Sequence, residues 1–439
     1  MKASRHHNQK KNTTATMKHT TKLTLIGSAL ACGAVLPQSA QAGGIELYEI
    51  ATPDVGLASA GYAARAQDAS TVFRNPAGMS LFQGSQFQGG LQLTYGSVEF
   101  SKDANTGPFL GDNNGGNAIG ALPAGGLFFT HALSDRFTVG FGTFSYFGLA
   151  EKFDDNWVGR YYVQKGVLLG MSLMPAVSFK ATDWLSIGAG LNAMYGYMDT
   201  EVAIRTGAPG DGQLKVKDET WGFGANAGVL ITPREGTRFG VTYLSPVKLD
   251  FEDTPSFSNL GPLGGAIFAN PPQLDLGMTV PQSVMLSAYH ELSSKCAILA
   301  NVGWQNWNQF GKVDVGVDSA NPTSLTKNLN YQDTWHGAIG AQYRASEKWL
   351  LSGGFAYDTS AVKDEDRTLS LPLGQAYRFG LGAQWQVSKA ITLGAAYEFM
   401  WAGDMPVSQG EPLDYRGRVS GGFDDSWFSF FTANLTWKF

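Results

Sequence analysis

After position 42 the sequence offers three histidines, His131, His290 and His336, and one cysteine, Cys296, for nucleophilic or acid–base chemistry. An activated nucleophile needs a base within hydrogen-bond reach and a further group to orient that base. None of the three histidines falls in such an arrangement, and His131 and His290 each stand beside a short polar turn. Cys296 by itself cannot form an intramolecular disulfide, and it reads as a small residue at the start of a strand. An enzyme is not expected, so the elements around these residues have to explain the chain.

The first 42 residues read as an export signal, not as structure. Met17-Lys18-His19-Thr20-Thr21-Lys22 is a basic n-region, Leu23 to Leu36 a short apolar core, and Ala40-Gln41-Ala42 an A-x-A cleavage site. The signal reads normally from Met17, which leaves residues 1–16 as a basic prefix. A rival lipoprotein site at Ala29-Leu30-Ala31-Cys32-Gly33 has Ala where Leu usually stands. Six of the 32 Lys and Arg residues lie in this leader, so the remainder carries 26 basic against 37 acidic residues. That balance excludes a nucleic-acid surface, which needs a basic face.

Glycine is abundant, at 55 residues, and aromatics make up 12% of the chain, yet no apolar run after residue 42 could cross a bilayer as a helix. The last thirteen residues, WFSFFTANLTWKF, alternate instead. Trp427, Ser429, Phe431, Ala433, Leu435, Trp437 and Phe439 share one mostly apolar face, and Thr432, Asn434, Thr436 and Lys438 the other. Only helices and closed barrels satisfy every backbone hydrogen bond in hydrocarbon. An exported chain of aromatic-rich alternating segments is therefore expected to form an all-β transmembrane barrel, apolar face to lipid and polar face to lumen.

Short turns and long polar loops take turns along the chain. Tight connections fall at Leu133-Ser134-Asp135, Ala181-Thr182-Asp183, Thr232-Pro233-Arg234-Glu235, Leu292-Ser293-Ser294, Ala345-Ser346-Glu347 and Val387-Ser388-Lys389. Gly/Pro/Asp/Asn-rich stretches lie between them near 102–120, 148–166, 203–212, 253–274, 311–327, 359–370 and 403–424. Six turns and seven loops imply about 14 antiparallel strands over residues 85–439, with short periplasmic turns and long outer loops. A secreted β-sandwich would share the alternation but not the regular minimal turns.

Residues 43–84 break this pattern. They show no sustained alternation and are rich in Ala and Gly, too apolar for a disordered tail and unable to span the membrane. A plug inside the barrel lumen is one reading and a periplasmic extension the other. Asn75-Pro76-Ala77-Gly78 carries a strong turn signal near the end of the segment.

Phe73-Arg74-Asn75-Pro76-Ala77, Trp157-Val158-Gly159-Arg160-Tyr161, Asp183 to Ala193, Trp221-Gly222-Phe223-Gly224, Trp304 to Phe310 and Phe355-Ala356-Tyr357-Asp358 follow one another in an order that resembles the FadL family. These are outer-membrane transporters of long-chain fatty acids and, in the TodX-like branch, of aromatic hydrocarbons. The resemblance runs through the whole chain after the leader. It implies that residues 43–84 form an N-terminal hatch plugging the lumen, with Asn75, Pro76 and Ala77 as the motif where the hatch turns towards the first strand. Proline keeps Asn75 out of the helical region, so the hatch should end sharply there.

The same resemblance implies passive uptake, with capture at an outer groove, transfer to a pocket beside the hatch and sideways exit near a kinked third strand. Here that strand is Arg136–Phe147, with Gly140 and Gly142 as the residues that would permit the bend. Alignment places Lys327 and Asp358 at the pocket lysine and aspartate and, less directly, Arg205 at the pocket arginine. A cation in an apolar pocket would attract a carboxylate, and Asp358 would balance it when the site is empty. Leu263, Ile267 and Phe268 belong to the apolar outer loop expected to make first capture. The expected partners are a hydrophobic ligand, outer-membrane lipid and lipopolysaccharide, and the barrel-assembly machinery, which would read the terminal Phe439; a monomer is the default and no cofactor is implied. The rivals are an aromatic-hydrocarbon transporter, a polar-solute porin, which would want an unplugged lumen with charged rings, and an outer-membrane hydrolase.

Overall fold

The computed structural model describes residue 48 and residues 50–206, 210–318 and 323–439. The expected leader and hatch residues 43–47 and 49 lie outside the described residues. Fourteen antiparallel strands form a closed ring. They are Ser85–Ser97 (β1), Gly120–Ala132 (β2), Phe137–Lys152 (β3), Lys165–Lys180 (β4), Leu185–Ile204 (β5), Gly212–Arg234 (β6), Thr237–Leu244 (β7), Ser283–Glu291 (β8), Cys296–Gln305 (β9), Thr334–Arg344 (β10), Trp349–Asp358 (β11), Ala376–Gln386 (β12), Ile391–Gln409 (β13) and Val419–Lys438 (β14). The ring closes where β1 pairs with β14 from Gln86↔Lys438 to Ser97↔Trp427. Phe439 adds two backbone hydrogen bonds to Ser85, of 2.8 and 2.9 Å.

Burial shows which face meets which solvent. In β14, Phe431 and Trp437 are 51% and 46% exposed, while Thr432 and Thr436 are 5% and 4% exposed. Polar side chains inside and aromatics outside are the reverse of a soluble sandwich, and they suit a barrel whose outer wall is hydrocarbon. Exposed aromatics cluster near both ends of the strands. Trp184, Trp349, Trp385 and Trp437 lie beside the short turns, and Trp221, Tyr243, Trp335 and Trp401 lie towards the long loops. Such rings sit at the two membrane–water interfaces.

All six short turns connect the expected strands. The turn near 232–235 is narrower than expected, because β6 runs on to Arg234 and Glu235-Gly236 make the reversal, with Gly236 at φ 72°. The outer loops depart further. Residues 254–272 remain a long loop, but the segments that flank it, Val247–Asp253 and Gln273–Val280, join Lys312–Asp318 and Thr323–Asn328 of the expected 311–327 loop in a separate four-stranded antiparallel sheet. Val247, Leu249 and Phe251, Leu274 and Leu276, and Val313 and Val315 put one buried apolar face on it. That face packs against the inner side of β5 and β6, where Gly196 and Gly222 carry no side chain to hold it off. The third strand also outlasts its expected end at Phe147, running on to Lys152 against β4.

Residues 50–84 fill the lumen as three short helical turns, Pro53–Leu57, Thr71–Arg74 and Pro76–Leu81, joined by irregular chain. Their buried charges neutralise one another: Arg65 and Arg74 both pair with Asp54 and Asp68. Four charges removed from water hold together only because each is paired. The barrel wall meets this segment with polar side chains. Asn301 Oδ1 accepts from Gly61 N (2.7 Å), Ser287 Oγ from Ala63 N (2.9 Å) and Gln92 Oε1 from Ala51 N (3.0 Å). Asn226 Nδ2 donates to Val72 O (3.1 Å) and Phe73 O (3.2 Å). Where the two backbones approach most closely the wall has glycine. A Cβ at Gly90, Gly240 or Gly354 would strike Ala51 O, Ala63 O or Leu57 O.

Asn75 adopts φ −157°, ψ 96°, outside the helical region as expected, but the hatch does not end there. Its Oδ1 accepts from Ala77 N (3.1 Å) and caps a further turn, Pro76–Leu81, with Pro76 in its first turn. Its Nδ2 donates to Ala63 O (2.7 Å) and to Val229 O on β6 (3.0 Å). The motif is therefore a rivet between hatch and wall, and the chain leaves the lumen nine residues later at Gly84, φ 66°.

Candidate functional site

Lys327 stands on the edge strand of the outer sheet. Register places it opposite Val313, and Leu325 opposite Val315, so both belong to the apolar face. Lys327 is the only cation among the described residues on that face, and it makes no ion pair. Asp253, at the far end of the same face, is occupied by Lys217 N (2.7 Å). The Lys327 side chain is exposed along the sheet edge; partial desolvation by the surrounding protein, helped by the Arg416 guanidinium, pulls its pKa below the ordinary lysine value. Arg416 itself lies over the Tyr162 ring, 4.6 Å from its centroid. Two cations beside apolar surface at the outer mouth can take a carboxylate.

Asp358 is not the counter-charge of that site. It is 1% exposed on the lumen side of β11 and binds His336 Nδ1 and Arg378 Nε, each at 2.7 Å. Arg378 continues to Glu398 Oε1 (3.0 Å), and hatch Tyr48 packs on this chain, 4.5 Å from the His336 ring and 5.4 Å from Arg378. Arg205 joins neither group. It lies over Phe109 of the first outer loop, 4.2 Å from the ring centroid. The three charges expected in one pocket thus occupy three places, because Asp358 finds its cations on neighbouring strands of the wall. His336, Arg378, Glu398 and Tyr48 are the partners that sequence reasoning missed. Arg378 and Glu398 fall on the inward positions of otherwise apolar strands, which was the signal available.

The expected capture loop is a short helix, Gly261–Ile267. Phe268 stacks on Phe257 at 4.6 Å, and Ile267 and Phe268 are both half-buried, so part of the apolar surface covers itself. The Leu263 side chain lies outside the described residues.

Gly140 and Gly142 do not bend the third strand. Both sit in unbroken ladders, Gly140 between Thr130 and Ala176, and Gly142 between Phe128 and Met174. They face inward, where a Cβ on Gly140 would meet Val72 and Met79 of the hatch and one on Gly142 would meet Phe128. Gly140 makes clearance for the plug, and Gly142 makes clearance for the Phe128 and Phe144 rings of the wall. The irregularity comes later, between Ser145 and Phe147, where Tyr146 is one extra residue against β4.

An opening in the wall accompanies that bulge. β2 and β3 pair from Ala132↔Thr138 up to Gly126↔Phe144 and no further. Above this, residues 120–125 pair with β1 and residues 145–152 with β4, until Lys152 N reaches Ala118 O at 2.8 Å. The window between is backed by aromatic rings. Phe144 and Tyr146 lie 4.6 and 5.8 Å from hatch Phe73, and Phe128 stacks on Phe144 at 5.6 Å. Pro123 stands on the unpaired edge of β2, where a residue without an N–H is tolerated.

A plugged fourteen-strand barrel with a side window and an apolar, cationic mouth defines an outer-membrane channel for hydrophobic molecules. The chain belongs to the outer membrane protein transport family (OMPP1/FadL/TodX), whose model matches residues 33–439. It lies in the outer membrane, in a family of transport channels and not of enzymes. It is 27% identical over 402 residues to outer membrane protein P1 of Haemophilus influenzae, covering 82% of this chain and 86% of the relative. It is 27% identical over 420 residues to the long-chain fatty acid transport protein of Escherichia coli O6:H1, covering 88% and 93%. The fold matches a Pseudomonas aeruginosa FadL homologue with a TM-score of 0.81 at 22% identity, over 90% of this chain and all of the other. It also matches the Ralstonia pickettii toluene transporter TbuX with a TM-score of 0.66 at 18% identity, over 90% and 99%.

Proposed function

We propose that the protein takes up long-chain fatty acids passively. The carboxylate is captured at Lys327 beside the apolar face of the outer sheet, the acyl chain descends to the hatch, and the ligand leaves through the window between β2 and β3. The observation that carries this reading is Lys327, a cation on an apolar face with no acidic partner among the described residues. In such a place an ammonium gains more from a ligand carboxylate than it would in water. The riveted hatch supports a sideways route over a straight one, since its glycine contacts and wall hydrogen bonds fix it within the lumen, an arrangement that disfavours a polar-solute porin. The aromatic backing of the window suits hydrocarbon of either kind, so aromatic hydrocarbon is the second reading.

Binding to the purified, detergent-solubilised protein separates the two. Oleate should bind saturably, and Lys327→Ala should weaken it about tenfold, the worth of one charge-assisted hydrogen bond. Toluene binding with no oleate binding would move the protein to the hydrocarbon readers of the family.

A further inference from the structure

Above the window, on the inward side of the wall, lies a polar pair that the route described so far does not use. Glu151 is 2% and Thr200 4% exposed, and neither Glu151 Oε1 nor Thr200 Oγ1 has a hydrogen-bond partner among the described residues. Register sets them in one row: Glu151 of β3 is opposite Gly166 of β4, and Gly166 is opposite Thr200 of β5. Gly166 puts no side chain between them. The surrounding inward positions, Leu149, Leu168, Met198 and Val216, are apolar and buried. Among the described residues of β3 and β4 no cation faces the carboxyl, since Lys152 and Lys165 fall on the opposite, outward positions of their strands.

A buried carboxyl and a buried hydroxyl without partners each cost stability, and a fold that keeps both is holding them for something that binds. Glu151 is one residue below Lys152, whose N–H closes the upper end of the window. We propose that Glu151 and Thr200, across Gly166, form a head-group site for the carboxylic acid of a ligand on its way from the mouth to the window. In this site one proton is shared between the Glu151 and ligand carboxyls, and the Thr200 hydroxyl donates to the ligand's other oxygen. Two ionised carboxylates would repel in such apolar surroundings, so the proton enters with the ligand from solvent. The site selects carboxylic acids over hydrocarbons of equal length. It rests on the fatty-acid reading above.

The test compares oleate with 1-octadecene on the full-length, detergent-solubilised protein and three variants: Glu151→Leu, Glu151→Gln and Thr200→Val. Glu151→Leu should lower oleate affinity about tenfold and leave 1-octadecene within about twofold. Glu151→Gln, which keeps the shape and a donor, should retain most of the oleate binding, and Thr200→Val should fall between. If all three variants keep the wild-type ratio of oleate to octadecene affinity, the pair is only a structural feature and the proposal is overturned. If the wild type binds octadecene but not oleate, the fatty-acid reading itself fails, a result that the variants cannot mimic. Glu151→Gln keeps the test decisive should Glu151→Leu misfold.

Discussion

Arg378 holds two buried carboxylates, Asp358 and Glu398, while a hatch tyrosine rests on its guanidinium. Removing one member of such a chain leaves the rest uncompensated, which typically costs about 3–5 kcal/mol. Arg378→Met should therefore lower the thermal unfolding midpoint in detergent clearly, and the double variant Arg378→Met with Asp358→Asn should recover part of the loss. Lys327 behaves in the opposite sense. Its lowered pKa means that the folded protein holds this proton less tightly than the unfolded chain does. Its contribution to stability therefore grows as pH rises from the lowered value towards the ordinary one near 10.5. Carboxylate binding has the reverse trend, fading as Lys327 loses its proton. Oleate titrations across alkaline pH should show binding lost below the ordinary lysine range in the wild type and extended upward in Lys327→Arg.

At the scale of elements, two devices deserve separate tests. The Asn75 side chain makes two hydrogen bonds to backbone carbonyls and caps Pro76–Leu81. Asn75→Ala should loosen the hatch by about 1–3 kcal/mol, seen as faster amide exchange over residues 60–80 with the barrel strands unchanged. The bulge at Tyr146 supplies the extra residue that breaks the register of β3 against β4. Deleting Tyr146 should restore continuous pairing and cut uptake into vesicles several-fold while oleate binding at the mouth persists; equal loss of both would show that the bulge serves folding and not exit. Much of this level was legible in the sequence. The strands and turns follow from period-2 patterning, and the outer sheet had the same signal in Val247, Leu249 and Phe251, overlooked because Asp and Gly crowd the neighbouring stretch. Pro123 likewise marked an edge inside an otherwise regular strand.

For the whole molecule, the seal depends on contacts between segments far apart in the chain. Gly240 gives way to Ala63 O, and Gly354 to Leu57 O. Gly240→Val should leave the barrel folded but displace the plug, raising single-channel conductance in planar bilayers well above that of the wild type.

Export, the strand alternation, the short turns and the separate character of residues 43–84 were determined by the sequence alone, because each depends on residues near one another in the chain. The tertiary structure decided the pairing of Asp358 with Arg378 and His336, the clearance role of Gly140 and Gly142, and the place where β2 and β3 part. Each of these depends on which inward side chains face one another once fourteen strands close around a plug, and closure brings together positions that no local pattern relates.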